Sequence, residues 1–324
     1  MEKISPYYEL YLEGLFKSGS KGLEALREAS KYLEEALTYK KTEEAYKTLL
    51  ICYSKLNNFE LYEKTLLRAC EDGFGFFYSL CGIYYGNIAK EVNKEESLKW
   101  FEKGLESKNP QAYIDFAAIN IKGCRAFSAD VDKAIEILKE GLGLNNNDWN
   151  GLFAYNLGIE YKNKKEYEEA RNYFELAGKY GYKKAYLELS VLYKYGLGVT
   201  QDNDKFVEYL LMNIDDKTSY FLGEVFGNGE CTTPNVDIAT RFFKYSADHG
   251  NGNGCFFYAT FLSLTDNYDA NIVDYYFEQA FKIGIDKEWF KESYFKFYDL
   301  VDERTKKKID ELEVRYWKLM RNQA

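Results

Sequence analysis

Histidine is almost missing from these 324 residues: only His249 is present. Nucleophilic and general acid–base chemistry both need a positioned partner set, and a single histidine leaves no Ser-His-Asp spacing to specify. The motifs GxxxxGK[ST], HExxH and GxSxG are all absent. Six cysteines stand at 52, 70, 81, 124, 231 and 255, with no CxxC among them. Scattered thiols and one imidazole make no recognisable ligand box, so neither a metal nor another cofactor is expected. No apolar run reaches 18 residues, which argues against a transmembrane span. The opening "MEKISPYYELYLEGLFK" carries charges through any apolar stretch and lacks a small-residue cleavage site, so it does not read as a secretory signal. The cysteines are therefore expected to be free thiols in a reducing cytoplasm. A net charge of -9 disfavours nucleic acid as the main partner, because phosphate binding needs a basic face.

What the chain has in abundance is apolar and aromatic residues, 46% and 18% of the total, enough to bury a core. They recur with a period. Bulky adjacent pairs stand at Tyr32-Leu33, Leu66-Leu67, Trp100-Phe101, Ile137-Leu138, Tyr173-Phe174, Tyr209-Leu210, Phe242-Phe243 and Tyr276-Phe277, at intervals of 33 to 37 residues. A second marker runs out of phase: a large residue, a small one, then an aromatic three further on. It reads Cys81-Gly82…Tyr85, Leu157-Gly158…Tyr161, Leu189-Ser190…Tyr193 and Leu222-Gly223…Phe226. Both markers sit in segments with helical spacing, such as Tyr167, Ala170, Phe174 and Ala177. Strand signals are weak, because no stretch alternates with period two for long.

Helix pairs of this kind cannot bury an apolar stripe alone and must stack on their neighbours. The small residues would let helices approach, and the aromatics would fill the spaces between. Gly73, Gly181, Gly250 and Gly284 read as left-handed stops after the second helix of a pair. Asn109-Pro110 reads as an N-cap with proline in the first turn. The step from Ala117 to Gly158 is the longest between small-residue markers. "NNNDWNG", Asn145 to Gly151, is read there as a stretched connection and a break in curvature.

The unit containing Asn156-Leu157-Gly158…Tyr161, then Tyr167-Glu168-Glu169-Ala170…Tyr173-Phe174…Ala177, resembles a tetratricopeptide repeat. The next units, Ala185 to Leu210 with Gly196-x-Gly198-Val199 and Tyr220 to Gly250 with Gly227 and Gly229, resemble Sel1-like repeats. Phe206 and Val273 depart from the pattern by replacing a small residue. The resemblance implies an all-α fold: a right-handed alpha-alpha superhelix, or solenoid, of about eight helix pairs. Residues 42–284 would form the array, with helical caps at 1–41 and 285–324. Some Sel1-like proteins are secreted with cysteines bridging successive helices. Cys70 and Cys255 lie near such positions, yet each lacks the partner that pattern expects, against that branch.

The resemblance also implies a function: non-catalytic binding of a peptide or partner protein along a concave groove lined by each first helix, as a scaffold, adaptor or regulatory subunit. Carried over residue by residue, the groove positions are Tyr155, Ile159, Lys162 and Asn163, then Lys184, Leu187, Val191 and Lys194, then Lys217, Tyr220, Glu224 and Asn228, then Asn253, Phe256 and Thr260. Lysines and asparagines would hold the carboxylates and backbone of an acidic partner or a chain terminus, while aromatics cover its side chains. Two alternatives come from other classes. One is a weak hydrolase or β-lactam-binding enzyme; the other is an immunity or anti-defence inhibitor acting by contact. His249 with the glycines after it, "HGNGNG", reads as a solvated helix end and a turn between pairs rather than a phosphate loop, which would need a preceding strand. The C-terminal tail, with Trp317, is read as a cap, or alternatively as a contact to a second copy.

Overall fold

The computed structural model describes residues 20–229, 232–265 and 268–284, together with Glu303 and Lys307. Among the described residues every regular element is helical. Backbone contacts divide the chain into two units, Met1–Glu160 and Tyr161–Ala324.

The first unit contains α1 (Ser20–Tyr39), α2 (Glu43–Lys55), α3 (Phe59–Glu71), α4 (Phe76–Ile83), α5 (Lys94–Glu106), α6 (Pro110–Lys122), α7 (Val131–Leu142) and most of α8 (Asn147–Asn163). A π-turn, Tyr84–Ile88, prolongs α4. The second contains the end of α8, then α9 (Tyr167–Lys179), α10 (Lys184–Tyr195), α11 (Asn203–Met212), α12 (Asp216–Asn228), α13 (Val236–Asp248), α14 (Gly252–Ser263) and α15 (Ala270–Ile283). Within each unit, consecutive helices pack on each other. The all-α helix-pair architecture expected from the periodicity is the one observed.

Local chemistry starts and stops these helices. Thr42, Asn58, Asn93, Asn109, Asp130, Asp202, Asn235 and Asn251 each accept a backbone N–H of the first turn that follows. Asp215 and Thr218 form a reciprocal capping box at α12. Five of the second helices end in one repeated turn, its left-handed residue being Gly73, Lys108, Asn145, Gly181 and Gly250, whereas α11 stops at Asn213 with φ -133°. The glycines were legible. Lys108 and Asn145 were not, because they take φ of 54° and 55° with a side chain in place.

The two sequence markers correspond to two contacts. The core member of the bulky pair is fully buried at Leu33, Phe101, Leu138, Phe174, Leu210, Phe243 and Phe277. At Leu66-Leu67 it is Leu66 that is buried, so the register there is one residue earlier than the pairing suggested. The other aromatic of the pair lies against the aromatic of the preceding helix: Tyr173 on Tyr161, Tyr209 on Tyr193, Phe242 on Phe226 and Tyr276 on Tyr258, with centroids 4.7 to 5.9 Å apart. The small residues make room for rings. A Cβ on Gly82 would lie 2.8 Å from the Phe101 ring, and one on Gly223 would lie 2.6 Å from Phe243. Gly141 and Gly178, on second helices, do the same for Phe153 and Tyr186 of the next first helix. Phe206 and Val273, the two large residues at small-residue positions, are buried all the same.

Three expectations are corrected. "NNNDWNG" is not a stretched connection: α8 begins at Asn147, after Asn146 accepts the Asp148 N–H, so the extra length is helix. Gly227 lies inside α12 beneath Phe261; the loop glycine is Gly229. Gly252 and Asn253, expected in the turn, are buried in the first turn of α14, where Gly254 also lies as expected, and Asn251 is the N-cap. A Cβ on Gly252 would come within 2.0 Å of the Gly284 carbonyl oxygen, so the glycine there serves close packing. The C-terminal cap at 285–324, Trp317 included, lies outside the described residues, as does most of the N-terminal cap before α1.

Two substitutions test these contacts with opposite sign. Lys108→Gly removes a left-handed side chain and is expected to raise unfolding free energy by about 1 kcal/mol. Gly82→Val overpacks the Phe101 contact and is expected to lower it by about 1–3 kcal/mol. Urea midpoints at constant m-value report both.

Candidate functional site

The groove positions expected in the second unit fall into three groups. Lys184 and Lys217, in the first turns of α10 and α12, are exposed, as is Asn163 at the end of α8. Lys184 and Lys217 stand 33 residues apart, one repeat, and so occupy equivalent places on successive first helices. Lys162 and Lys194 are half-buried and engaged. The Lys162 ammonium donates to Glu188 at 2.6 Å, and Lys194 lies 5.2 Å from the Phe206 ring centroid. Glu188 was missed as a member of this face. It neutralises Lys162, so the charge there is lower than a count of lysines suggests. Asn228 is half-buried, as is Tyr155, which belongs to the first unit.

Four expected groove residues are corrected, Thr260 of α14 among them at 4% exposed. Tyr220 is 1% exposed, Phe256 6% and Asn253 7%, and none offers a surface to a partner. Tyr220 is enclosed by Phe221, Phe243 and Phe257, with its hydroxyl donating to Glu224 at 3.1 Å. Phe256 packs against Phe257 and Phe277, in a helix whose every residue but Leu262 is buried. The carry-over assumed that each first helix keeps an open face. In α14 the composition, GNGCFFYATFLS, is apolar all round, and such a helix is buried.

His249 is the exposed C-cap of α13. Its Nδ1 lies 2.7 Å from the Tyr245 carbonyl oxygen, and its ring stacks on Tyr245 at 4.1 Å. The expectation of a helix-end residue holds.

A polar network in the first unit joins residues that were not expected as site residues. Glu34 of α1 accepts from the Tyr53 hydroxyl at 3.0 Å and from Arg68 at 2.8 Å. Asp72, which caps α3, accepts from the Tyr46 hydroxyl and from Lys41. Beside it lies a hollow of ≈ 320 Å³ between Glu35, Lys41, Tyr46 and Arg68. The hydrogen bonds from Lys41 and then Tyr46 hold the Asp72 carboxyl below the usual carboxylate range. Burial, aided by Asp72, pushes the Tyr46 phenol up to about 12. The one available hint was spacing: Glu34 and Arg68 are separated by 34 residues, so they are equivalent positions of neighbouring second helices. A larger hollow, ≈ 650 Å³, opens at the turns between pairs, where Lys47 lies 3.9 Å over the Phe76 ring and Tyr78, Gln111 and Trp149 line the wall. Among the described residues no group of three or more His, Cys, Asp or Glu is arranged to hold a metal ion, and no helix is long and apolar enough to cross a membrane.

The Sel1 repeat family model matches residues 78–109, 152–182, 183–212 and 218–251. The second of these is the unit that resembled a tetratricopeptide repeat. The chain is similar in fold to a Sel1 repeat protein from Oxalobacter formigenes, with 19% identity and a TM-score of 0.56 over 88% of this chain and 86% of that one. It is also similar to c5321, a protective antigen present in uropathogenic Escherichia coli strains displaying an SLR fold. There the identity is 16% and the TM-score 0.54, over 91% of this chain and 66% of that one. Comparison with curated proteins finds no match.

The Asp72 network carries a pH signature. A depressed carboxyl pKa stabilises the fold fully above the unfolded value, about 3.9, and that stabilisation fades as pH falls through the folded value. The stability difference between the wild type and Asp72→Asn is therefore expected to be constant from pH 7 to about 5 and to shrink towards pH 3. Urea titrations across that range measure it.

Proposed function

We propose that this chain, a Sel1-repeat protein, is a non-catalytic interaction module that holds a peptide or protein partner on the first-helix face of its second unit. Residues 42–284 form the repeat array in this reading, with the flanking segments as caps, and the protein works in the cytoplasm. The observation that carries the reading is the pair Lys184 and Lys217, exposed cations at equivalent places on successive first helices. Cations repeated at the spacing of the fold suit an extended partner that presents acidic side chains or a terminal carboxylate. Asn163 at the end of the flanking α8 and the half-buried Asn228 at the end of α12 itself add amide donors. Tyr220, Asn253 and Phe256 shape this face from beneath and make no partner contact in this reading.

His249, spent on capping a helix, supports a binding role over a catalytic one. A rim of exposed lysines acts mainly on association rate and its salt dependence.

Lys184→Glu combined with Lys217→Glu is expected to abolish capture of the partner by the immobilised full-length chain, with partners identified by mass spectrometry. Both side chains are exposed, so the urea midpoint should stay close to that of the wild type. Undiminished capture by the double variant would overturn the reading.

A further inference from the structure

We propose that Cys70 and Cys81 form a dithiol–disulfide couple, an oxidation site that staples the end of α3 to the middle of α4. The left-handed turn at Gly73 reverses the chain and returns α4 against α3. This brings the Sγ of Cys70 to 3.2 Å from the Sγ of Cys81. A disulfide bond is about 2.05 Å long, so the two sulfurs must close by about 1.2 Å, a movement that two side chains share. The other described cysteines have no such neighbour: the sulfurs of Cys124 and Cys255 lie near backbone carbonyls of Gly86 and Ala247. Cys70 is a free thiol, as expected, but it does not stand alone. Its neighbour is 11 residues on, across the junction between two helix pairs.

The surroundings determine how the couple reacts. Cys70 is 5% exposed and Cys81 0%, in a core that includes Leu66, Phe77 and Tyr84. The neighbouring Cys70 thiol, and then burial, hold the Cys81 thiol far above the usual range, so little thiolate forms while the fold is closed. Oxidation therefore proceeds through opening of the junction at 72–75. The oxidant is a small-molecule disulfide such as oxidised glutathione. Cys70, the more exposed, gives up its proton to solvent and attacks one oxidant sulfur. A mixed disulfide forms, and one thiolate leaves. Cys81, deprotonated in turn, attacks the Cys70 sulfur and expels the second thiolate. Both protons end on the two released thiols; the cysteines lose two electrons and the oxidant gains them. The product ties down the turn that carries Asp72, and it lies beside the hollow lined by Gly73, Gly75, Phe76 and Tyr78.

The test is oxidation of the full-length protein with oxidised glutathione across a range of mild urea, followed by removal of both and refolding. The expected product is lighter by two hydrogens. Trypsin does not cut between the two cysteines, since no Lys or Arg lies between them; a glutamate-specific protease cuts after Glu71. The peptides bearing Cys70 and Cys81 should then remain joined until reductant is added. The melting transition of oxidised protein should rise by roughly 5–10 °C and return on reduction. Cys81→Ala should show neither the mass loss nor the shift. The map on wild-type protein decides the matter even where that variant folds poorly. Recovery of both cysteines as alkylatable thiols, or their pairing with other cysteines or with glutathione as end products, would overturn the proposal.

Discussion

The structure depends on how closely two helix backbones approach where a small residue meets a ring. Gly82 beneath Phe101 and Gly223 beneath Phe243 let the two helices of a pair close on each other. Gly141 against Phe153 and Gly178 against Tyr186 let one pair close on the next. Protein interiors are packed to crystal density, so a single Cβ at such a place must displace a ring. Each helix pair would expose its apolar stripe if left alone. The close contacts convert a string of such pairs into continuous cores. Aromatic pairs, from the stacked Tyr161 and Tyr173 to the edge-to-face Tyr258 and Tyr276, fill the space between the crossing helices.

The same packing decides which surfaces remain for function. First helices that stay amphipathic, α10 and α12, keep exposed lysines in their first turns. Where a first helix turns apolar all round, as α14 does, it sinks and takes its polar residues with it. Asn253 and Thr260 are consequently buried, and Thr260 returns its hydroxyl to the Phe256 carbonyl oxygen. Charge is spent on the fold as well. Glu188 binds Lys162, and Glu34 binds Arg68 across one repeat period. Such partly exposed ion pairs add little stability each, but they choose between registers that differ by a turn. The first unit concentrates this chemistry at Asp72, which caps α3 and receives both Tyr46 and Lys41. The cysteine couple lies at the same junction.

The all-α class, the period of 33 to 37 residues, the glycine stops and the Asn109-Pro110 cap were all readable in the sequence, because each follows from local spacing or backbone preference. Within that frame the limits of reading are also local. Leu66 rather than Leu67 is buried, because a bulky pair does not say which member turns inward. Lys108 and Asn145 adopt left-handed angles that no glycine announces. Asn146 begins a helix cap where a run of asparagines suggested a loop. Burial of Tyr220 and Phe256 depends on the aromatic rings of α13, α14 and α15 around them, and a repeat template carries no information about those neighbours.

The sequence by itself determined that this chain is built of helix pairs and where the glycine-stopped ones end, because capping, periodicity and small-residue spacing act over a few residues. Only the tertiary structure decided which lysines remain exposed, which carboxylates neutralise the others, and that Cys70 meets Cys81. Those outcomes depend on side chains brought together from different helices, and the distance between them in space is not written in their distance along the chain.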